Sequence, residues 1–161
     1  MKKKSLFLPE RIETNIGPLL MAGFSKKYAF GSSLNTEDLC FGSMPLSNQI
    51  PGKINNFVYR LTFDTDPWIK MECFCGVEVQ SLERLPAPLT YKLLNRNNYA
   101  VFYHIGHIST MRRTFDLIKN QWFPESYPSL IGSVNYFFER YGEGYNKEKG
   151  IGDIEIWVPL I

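Results

Sequence analysis

A glutamate among aromatic residues is the part of this sequence best suited to chemistry. In the segment Phe137-Phe138-Glu139-Arg140-Tyr141, alternation along a strand puts Glu139 on one face with Phe137 and Tyr141, and Arg140 on the other. If that face is buried, desolvation raises the pKa of the carboxyl group unless a donor or a cation compensates. A ligand cation compensates well, because it pairs with the carboxylate and lies over ring faces. The pattern predicts a site for a cationic small molecule, although a lone glutamate on a strand more often faces solvent.

The last strand of the sequence offers a second carboxylate and a further ring. Residues Asp153 to Leu160 alternate so that Glu155 and Trp157 share one face of that strand. We expect Trp157 to form a wall of the ligand site. For Glu155 two interpretations stay open, a second charge in the site or a solvated surface position.

Metal, cofactor and nucleophile-based sites are not predicted. His104 and His107 are three residues apart on and after a strand, on opposite faces by parity. The three cysteines, Cys40, Cys73 and Cys75, have no Cys/His set at zinc spacing and are expected as core thiols. No Ser/His/Asp or Cys/His pattern indicates nucleophilic catalysis. We therefore expect no metal, no cofactor and no catalytic residue, with Glu139 the general acid or base if the protein is an enzyme.

Composition excludes several classes of partner. The formal net charge is only +2, so a basic face for direct nucleic-acid binding is not expected. No apolar run approaches the roughly 20 residues that span a membrane. An odd cysteine count and a start that does not resemble a signal peptide favour a cytoplasmic protein. Aromatic residues make up 15% of the chain, so we expect rings both in the core and around a cavity.

The second half of the chain has the clearer elements. Tyr99 to Ile105 is rich in aromatic and β-branched residues and predicts a strand. A single apolar stripe then predicts a helix from Met111 to Trp122, stopped by Pro124. Strands are predicted at Val134 to Tyr141 and at Asp153 to Leu160. The order is strand-helix-strand-strand.

The first half repeats this order less regularly. Strands are expected within Arg11 to Phe24, at Asn56 to Phe63 and at Ile69 to Gln80, and a short helix at Glu37 to Phe41. A segment beginning at Gly52 aligns with one beginning at Gly132 at an offset of 80 residues, which makes Tyr59 the counterpart of Glu139. The chain is thus predicted to be one α+β domain, residues 1-161, with halves at about 10-85 and 89-161. Each half is a strand-helix-strand-strand unit, related to the other by pseudo-twofold symmetry, in an antiparallel sheet with helices packed on it.

Three motifs resemble those of the GyrI-like effector-binding domains, the ligand modules of some AraC- and MerR-type regulators, which also occur as stand-alone proteins. They are Tyr99-Ala100-Val101-Phe102 before a helix, Trp122-Phe123-Pro124-Glu125-Ser126, and Phe138-Glu139-Arg140-Tyr141 followed by Glu155-Ile156-Trp157-Val158-Pro159. The resemblance implies a duplicated unit with a ligand groove where the halves meet. It also implies an acidic residue in the groove, matched here by Glu139, which binds cationic, aromatic or lipophilic molecules.

Three functions follow for this chain. The first is a stand-alone small-molecule binder of the multidrug type, with Glu139 as the charge anchor. Its walls are the rings of Tyr59, Phe137, Tyr141 and Trp157. The second is a hydrolase that uses Glu139 on water. The third is an interaction protein, with gyrase or a transcription regulator as partner, which the scattered acidic residues do little to support.

Overall fold

Eight β-strands dominate the structure, a computed structural model that describes residues 7–29, 50–66, 70–126 and 136–160. Their bounds are β1 (Arg11–Ile16), β2 (Leu19–Ala29), β3 (Val58–Asp66), β4 (Lys70–Glu78), β5 (Thr90–Leu94), β6 (Asn97–His104), β7 (Tyr136–Tyr141) and β8 (Ile154–Pro159).

The strands form one antiparallel sheet in the order β1-β6-β8-β7-β3-β4-β2-β5. Only residues 17–18 separate β1 from β2, and only residues 95–96 separate β5 from β6. The register is the same on both sides of these interruptions, as the pairs Ile16↔Asn97 and Leu19↔Leu94 show. The two outermost strands of the sheet therefore belong to one continuous antiparallel ribbon, and the sheet is curled.

A helical segment packs on one face of the sheet. α1 (Met111–Leu117) follows a 3-10 turn and continues through a π-helical stretch at Ile118–Trp122 into the short α2 (Phe123–Ser126). The Trp122 ring meets the Phe102 ring of β6 edge-on, with 4.9 Å between their centroids. The predicted helix is confirmed, but it continues past Pro124 to Ser126. Pro124 has no N–H to donate to the preceding turn, and it lies where the π-helical stretch ends and α2 begins. Among the described residues, no helix is both long and apolar enough to cross a membrane.

Alternation along the strands divides the buried side chains between the two faces of the sheet. We call the first group the helix-side cluster; its buried members include Val58, Ala100, Phe102, Ile118, Trp122, Tyr141, Ile154 and Ile156. The second group, on the opposite face, is the ring cluster; its buried members include Tyr59, Leu61, Phe74, Tyr99, Val101, Phe138 and Trp157. Rings thus contribute to the core on both faces.

The α+β class and the antiparallel sheet are confirmed, with differences in both halves. The strand expected within Arg11 to Phe24 is two strands, β1 and β2, because Gly17, at a φ of 104°, and Pro18 interrupt it. β5 follows the proline-rich stretch 85–88 and was not predicted. The short helix expected at Glu37 to Phe41 lies outside the described residues. Duplication and pseudo-symmetry stay predictions.

Two cysteines of β4 differ in state. Cys73 is a buried free thiol, and burial raises its pKa to about 11. Cys75 is disulfide-bonded. The expectation of core thiols is therefore right for Cys73 and wrong for Cys75.

Candidate functional site

The six residues predicted for the ligand site do not lie together. On β7, Phe137, Glu139 and Tyr141 point to the helix side, where Phe137 and Tyr141 pack in the helix-side cluster. Tyr59 and Trp157 belong to the ring cluster on the opposite face, and Glu155 shares the face of Trp157. The sheet therefore separates the Glu139 group from the Trp157 group.

Glu139 lies in a buried ion pair at the centre of the sheet. Its direct cross-strand partner is Arg60 of β3, and Tyr59 pairs instead with Arg140. Arg60 Nε donates to Glu139 Oε2 at 2.6 Å, and Arg60 Nη2 donates to Oε1. The Tyr141 hydroxyl also donates to Oε1, at 2.7 Å. With 1% of Glu139 exposed, the carboxylate is already neutralised by a cation of the protein itself.

The groups around Glu139 are fixed in their protonation states. Burial lowers the pKa of Arg60, but the charge of Glu139 and the hydrogen bond to it outweigh burial, and the net shift is upward. Burial raises the pKa of Tyr141, and the negative charge of Glu139 raises it further. Arg60 is therefore always charged and Tyr141 always a donor, which suits a permanent structural ion pair.

A pocket of about 240 Å³ opens on the other face of the sheet. Three rings of the ring cluster, with Ile16 and Leu19, form its apolar part, and charged side chains from β1, β4 and β7 complete the lining. Its lining comprises Arg11, Glu13, Ile16, Leu19, Tyr59, Glu78, Phe138, Arg140 and Trp157. Two predicted wall residues, Tyr59 and Trp157, are thus brought together here.

Glu155 connects the arginines of this pocket. Its Oε1 accepts from Arg140 Nε at 3.0 Å and from the Trp157 indole N–H at 3.2 Å. Its Oε2 accepts from Arg11 Nη1 at 2.6 Å. Burial alone would raise the pKa of Glu155, but hydrogen bonding and charge from both arginines outweigh it, and the pKa lies below the ordinary value of 4.5. Glu155 lies beside the pocket and is only 5% exposed. It is therefore not the solvated surface residue of the second interpretation.

Glu78 has a different environment at the rim of the same pocket. Its Oε1 accepts from the amide of Asn55 at 3.1 Å and from the hydroxyl of Tyr59 at 3.3 Å, both neutral donors. In the described part of the chain, no arginine or lysine forms an ion pair with Glu78. Burial raises the pKa of Tyr59 to about 12, and the charge of Glu78 adds to the shift, so the hydroxyl keeps its proton.

Sequence reasoning missed Arg60, Arg140 and Glu78. Alternation along β7 predicted that Arg140 points away from Glu139. It could not predict that Arg140 shares a face of the sheet with Trp157, because that depends on the register between β7 and β8. Glu78 follows Gly76 on the same face of β4, but no local pattern marks it as a pocket residue. Arg60 was hidden because its role depends on pairing between strands 79 residues apart.

The two histidines have structural partners. His104 is buried and bonds the Thr114 hydroxyl through Nδ1 at 2.7 Å and the His107 carbonyl through Nε2 at 2.9 Å. Because only an N–H can donate to a carbonyl, Nε2 carries a proton. Within the described ranges, no three His, Cys, Asp or Glu side chains converge as metal ligands.

Solved structures with the same fold come from bacteria and mobile elements. A Staphylococcus aureus MU50 protein, proposed to act in bacterial transcription regulation, has a TM-score of 0.66 and 17% identity, over 95% of this chain and 98% of its own. SAV2435, solved with tetraphenylphosphonium bound, has a TM-score of 0.63 and 17% identity over 92% of each chain. An integron cassette protein from the mobile metagenome of Vibrio cholerae has a TM-score of 0.51 and 12% identity, over 94% of this chain and 95% of its own.

At the sequence level, no curated protein matches this chain significantly. The profile of one family does, over residues 47–160, which is more than half of the chain. Its members are effector binding proteins, so the resemblance to GyrI-like effector-binding domains is confirmed. The chain belongs to the Cass2 family of integron-associated effector binding proteins.

Proposed function

We propose that this protein binds small organic cations with aromatic or lipophilic surface, in the pocket of the ring cluster. The observation that carries the proposal is the combination of the Tyr59, Phe138 and Trp157 rings with Glu78, a carboxylate of the lining that accepts only from neutral donors in the described structure. The guanidinium groups of Arg11 and Arg140 line the pocket with Glu78, and both are also bonded to Glu155 beside it. Membership of an effector-binding family supports ligand binding, and tetraphenylphosphonium, bound by SAV2435, is a cation with four rings.

We assign the charge anchor to Glu78. Glu139 was the residue expected from the sequence, but its charge is matched by Arg60 on the far face of the sheet. Glu155 is matched by Arg11 and Arg140. Glu78 accepts only from neutral donors in the described structure. A ligand cation can therefore form an ion pair with the Glu78 carboxylate without displacing a positively charged side chain of the protein. Tyr59 and Trp157 keep their predicted role as walls, whereas Phe137 and Tyr141 lie on the side of Glu139.

Calorimetric titration with benzyltrimethylammonium tests the proposal, because this cation has one ring and one quaternary nitrogen. We expect binding to the wild type, little binding of neutral benzyl alcohol, and roughly tenfold weaker cation binding to Glu78→Gln, about 1.4 kcal/mol. The matched control is Glu83→Gln, which removes the same charge from an exposed position outside the pocket. Equal affinities of wild type and Glu78→Gln would exclude the anchor role. Glu139→Gln leaves Arg60 unpaired, so circular dichroism must first show that this variant is folded. The folded variant should keep the wild-type affinity, and a loss there would return the anchor to Glu139.

The duplicated architecture is also a proposal. When β1 is exchanged with β5, β2 with β6, β3 with β7 and β4 with β8, the result is the same strand order read from the opposite edge of the sheet. This symmetry of the order supports two related halves of a single domain. The pairing of Arg60 with Glu139 favours an offset of 79 residues over 80, because an offset of 80 relates side chains on opposite faces. Arg60, and not Tyr59, is then the counterpart of Glu139.

No contact in the described structure favours the hydrolase alternative, since Glu139 is buried and engaged by Arg60 and Tyr141. A gyrase or regulator partner, the lack of direct nucleic-acid binding and a cytoplasmic location stay predictions.

A further inference from the structure

Arg140 lies over two aromatic rings, Trp157 in the lining of the pocket and Phe57 next to it. Its guanidinium carbon is 4.0 Å from the centroid of Phe57 and 4.7 Å from that of Trp157. A third ring, that of Tyr59, meets Phe57 edge-on at 6.4 Å. The carboxylate of Glu155 completes the surroundings of the guanidinium, with Arg140 Nη2 at 2.7 Å from Oε1.

Rings and a carboxylate around one positive charge are the chemistry that recognises quaternary ammonium groups. Such cations bind over the faces of Trp, Tyr and Phe rings, within about 6 Å of their centroids. Both distances from Arg140 lie within this limit. The pocket therefore contains a cation subsite that a side chain of the protein occupies.

We propose that Phe57, Trp157 and Glu155 form a subsite for a quaternary or methylated ammonium group, and that Arg140 is its built-in competitor. The inference rests on the proposed function, and it adds which rings hold the charged group and what limits the affinity. A ligand cation takes the position of the guanidinium, and Arg140 turns outward.

Arg140 is able to leave this position without leaving a charge unpaired. Its side chain is 21% exposed, against 9% for Arg60 in the ion pair on the other face. When Arg140 turns away, Glu155 keeps its bond to Arg11, at 2.6 Å. Leaving a buried carboxylate with no partner would be strongly unfavourable, and Arg11 prevents this. The arriving ligand cation restores the second positive charge at Glu155.

The structure offers a matched pair of variants. Arg140→Gln removes the competitor, and Lys92→Gln removes one positive charge from the same sheet face. Lys92 pairs with Glu72 and lies over Phe63, outside the lining of the pocket. We expect tetramethylammonium and benzyltrimethylammonium to bind Arg140→Gln roughly 2- to 30-fold more tightly than wild type, the range of a cation–π contact. Lys92→Gln should match wild type. Adding Phe57→Leu to Arg140→Gln should remove most of the gain.

The outcomes separate this inference from the proposed function. If wild type binds the cations and Arg140→Gln binds no more tightly, the competitor role is wrong and the proposed function stands. If wild type and Arg140→Gln both fail to bind, both are wrong. An equal gain in Lys92→Gln would also overturn the inference, because net charge would then explain it.

A second measurement covers the case in which Arg140→Gln does not fold. The Nε–Hε resonance of Arg140 in wild type reports its bond to Glu155. Saturation with benzyltrimethylammonium should shift this resonance and leave that of Arg60 in place. An Arg140 resonance unchanged at saturation would overturn the inference.

Discussion

Two buried carboxylates of this protein, Glu139 and Glu155, each depend on arginine. Glu139 has one arginine and a tyrosine, all deeply buried on the helix side. Glu155 has two arginines that reach toward a pocket and are partly exposed. A buried ion pair that cannot exchange its partners stabilises the fold. A carboxylate such as Glu155, which can exchange one arginine for a ligand cation, could also take part in ligand binding. We therefore propose different roles for the same residue types on the two faces.

Removing one partner of the Arg60–Glu139 pair should destabilise the protein strongly. Arg60→Met leaves a buried carboxylate without its cation, so we expect the free energy of unfolding to fall by about 3–5 kcal/mol. The double variant Arg60→Met/Glu139→Leu removes both charges and should recover most of that loss. Urea unfolding of the two variants gives the comparison, with the exposed Arg113→Met as control. If the double variant lost more unfolding free energy than Arg60→Met alone, the two charges would not be compensating each other in the wild type.

Glu155 should make stability depend on acid pH. Because its pKa in the folded protein is lowered, its ion pairs stabilise fully above the ordinary pKa of 4.5, and this stabilisation is lost as the pH falls through the folded value. The difference in unfolding free energy between wild type and Glu155→Gln should therefore be constant near neutral pH and narrow below about pH 4.5. Urea unfolding at several pH values measures it. A constant difference for Glu155→Gln down to strong acid would contradict the lowered pKa.

At the level of elements, local patterns predicted the second half of the chain well. The strand before the helix, the helical stripe and the last two strands agree with β6, α1, β7 and β8 to within a few residues. These predictions succeeded because each signal lies within a single element. Examples are the alternation along β8 and the helical spacing of Met111, Ile118 and Trp122.

The location of the candidate site was harder to predict, because it depends on pairing between distant strands. Parity correctly grouped Glu139 with Phe137 and Tyr141, and Glu155 with Trp157, but it does not say which groups share a face of the sheet. The register that pairs Glu139 with Ile156 answers this, since Trp157 then points away from Glu139. A shift of one residue in register exchanges the faces, and no local signal fixes it.

The contact between β2 and β4 should tolerate no side chain at Gly76. Gly76 pairs with Gly23, and a Cβ on Gly76 would lie 2.2 Å from the carbonyl oxygen of Ala22, a backbone atom that cannot rotate away. We expect Gly76→Ala to lower the free energy of unfolding by about 1–3 kcal/mol or more. Gly144→Ala is the control, because its nearest atom is a side-chain carbon at 3.2 Å. Equal stability of Gly76→Ala and wild type in urea would contradict this tight contact.

For the whole molecule, the curled sheet brings together residues from both ends of the chain. The ribbon of β1 and β2 supplies Arg11, Glu13 and Leu19 to the pocket, while β7 and β8 supply Arg140 and Trp157. The formal net charge of +2 hides this concentration of charge in one place. In the function we propose, recognition of a cation depends on these local groups, and the ligand contacts both the outer ribbon and the centre of the sheet.

Because the pocket draws on six strands, a bound cation should stabilise the entire fold. A ligand that binds only the folded state at 100 times its Kd adds about 2.7 kcal/mol. For a chain of this length that corresponds to a rise in Tm of roughly 5–11 °C. Differential scanning fluorimetry with benzyltrimethylammonium measures the rise, and Glu78→Gln at the same concentration should show a smaller one. An equal rise with benzyl alcohol at that concentration would mean that the charge of the ligand has no part in binding, and the carboxylates of the pocket would lose their proposed role.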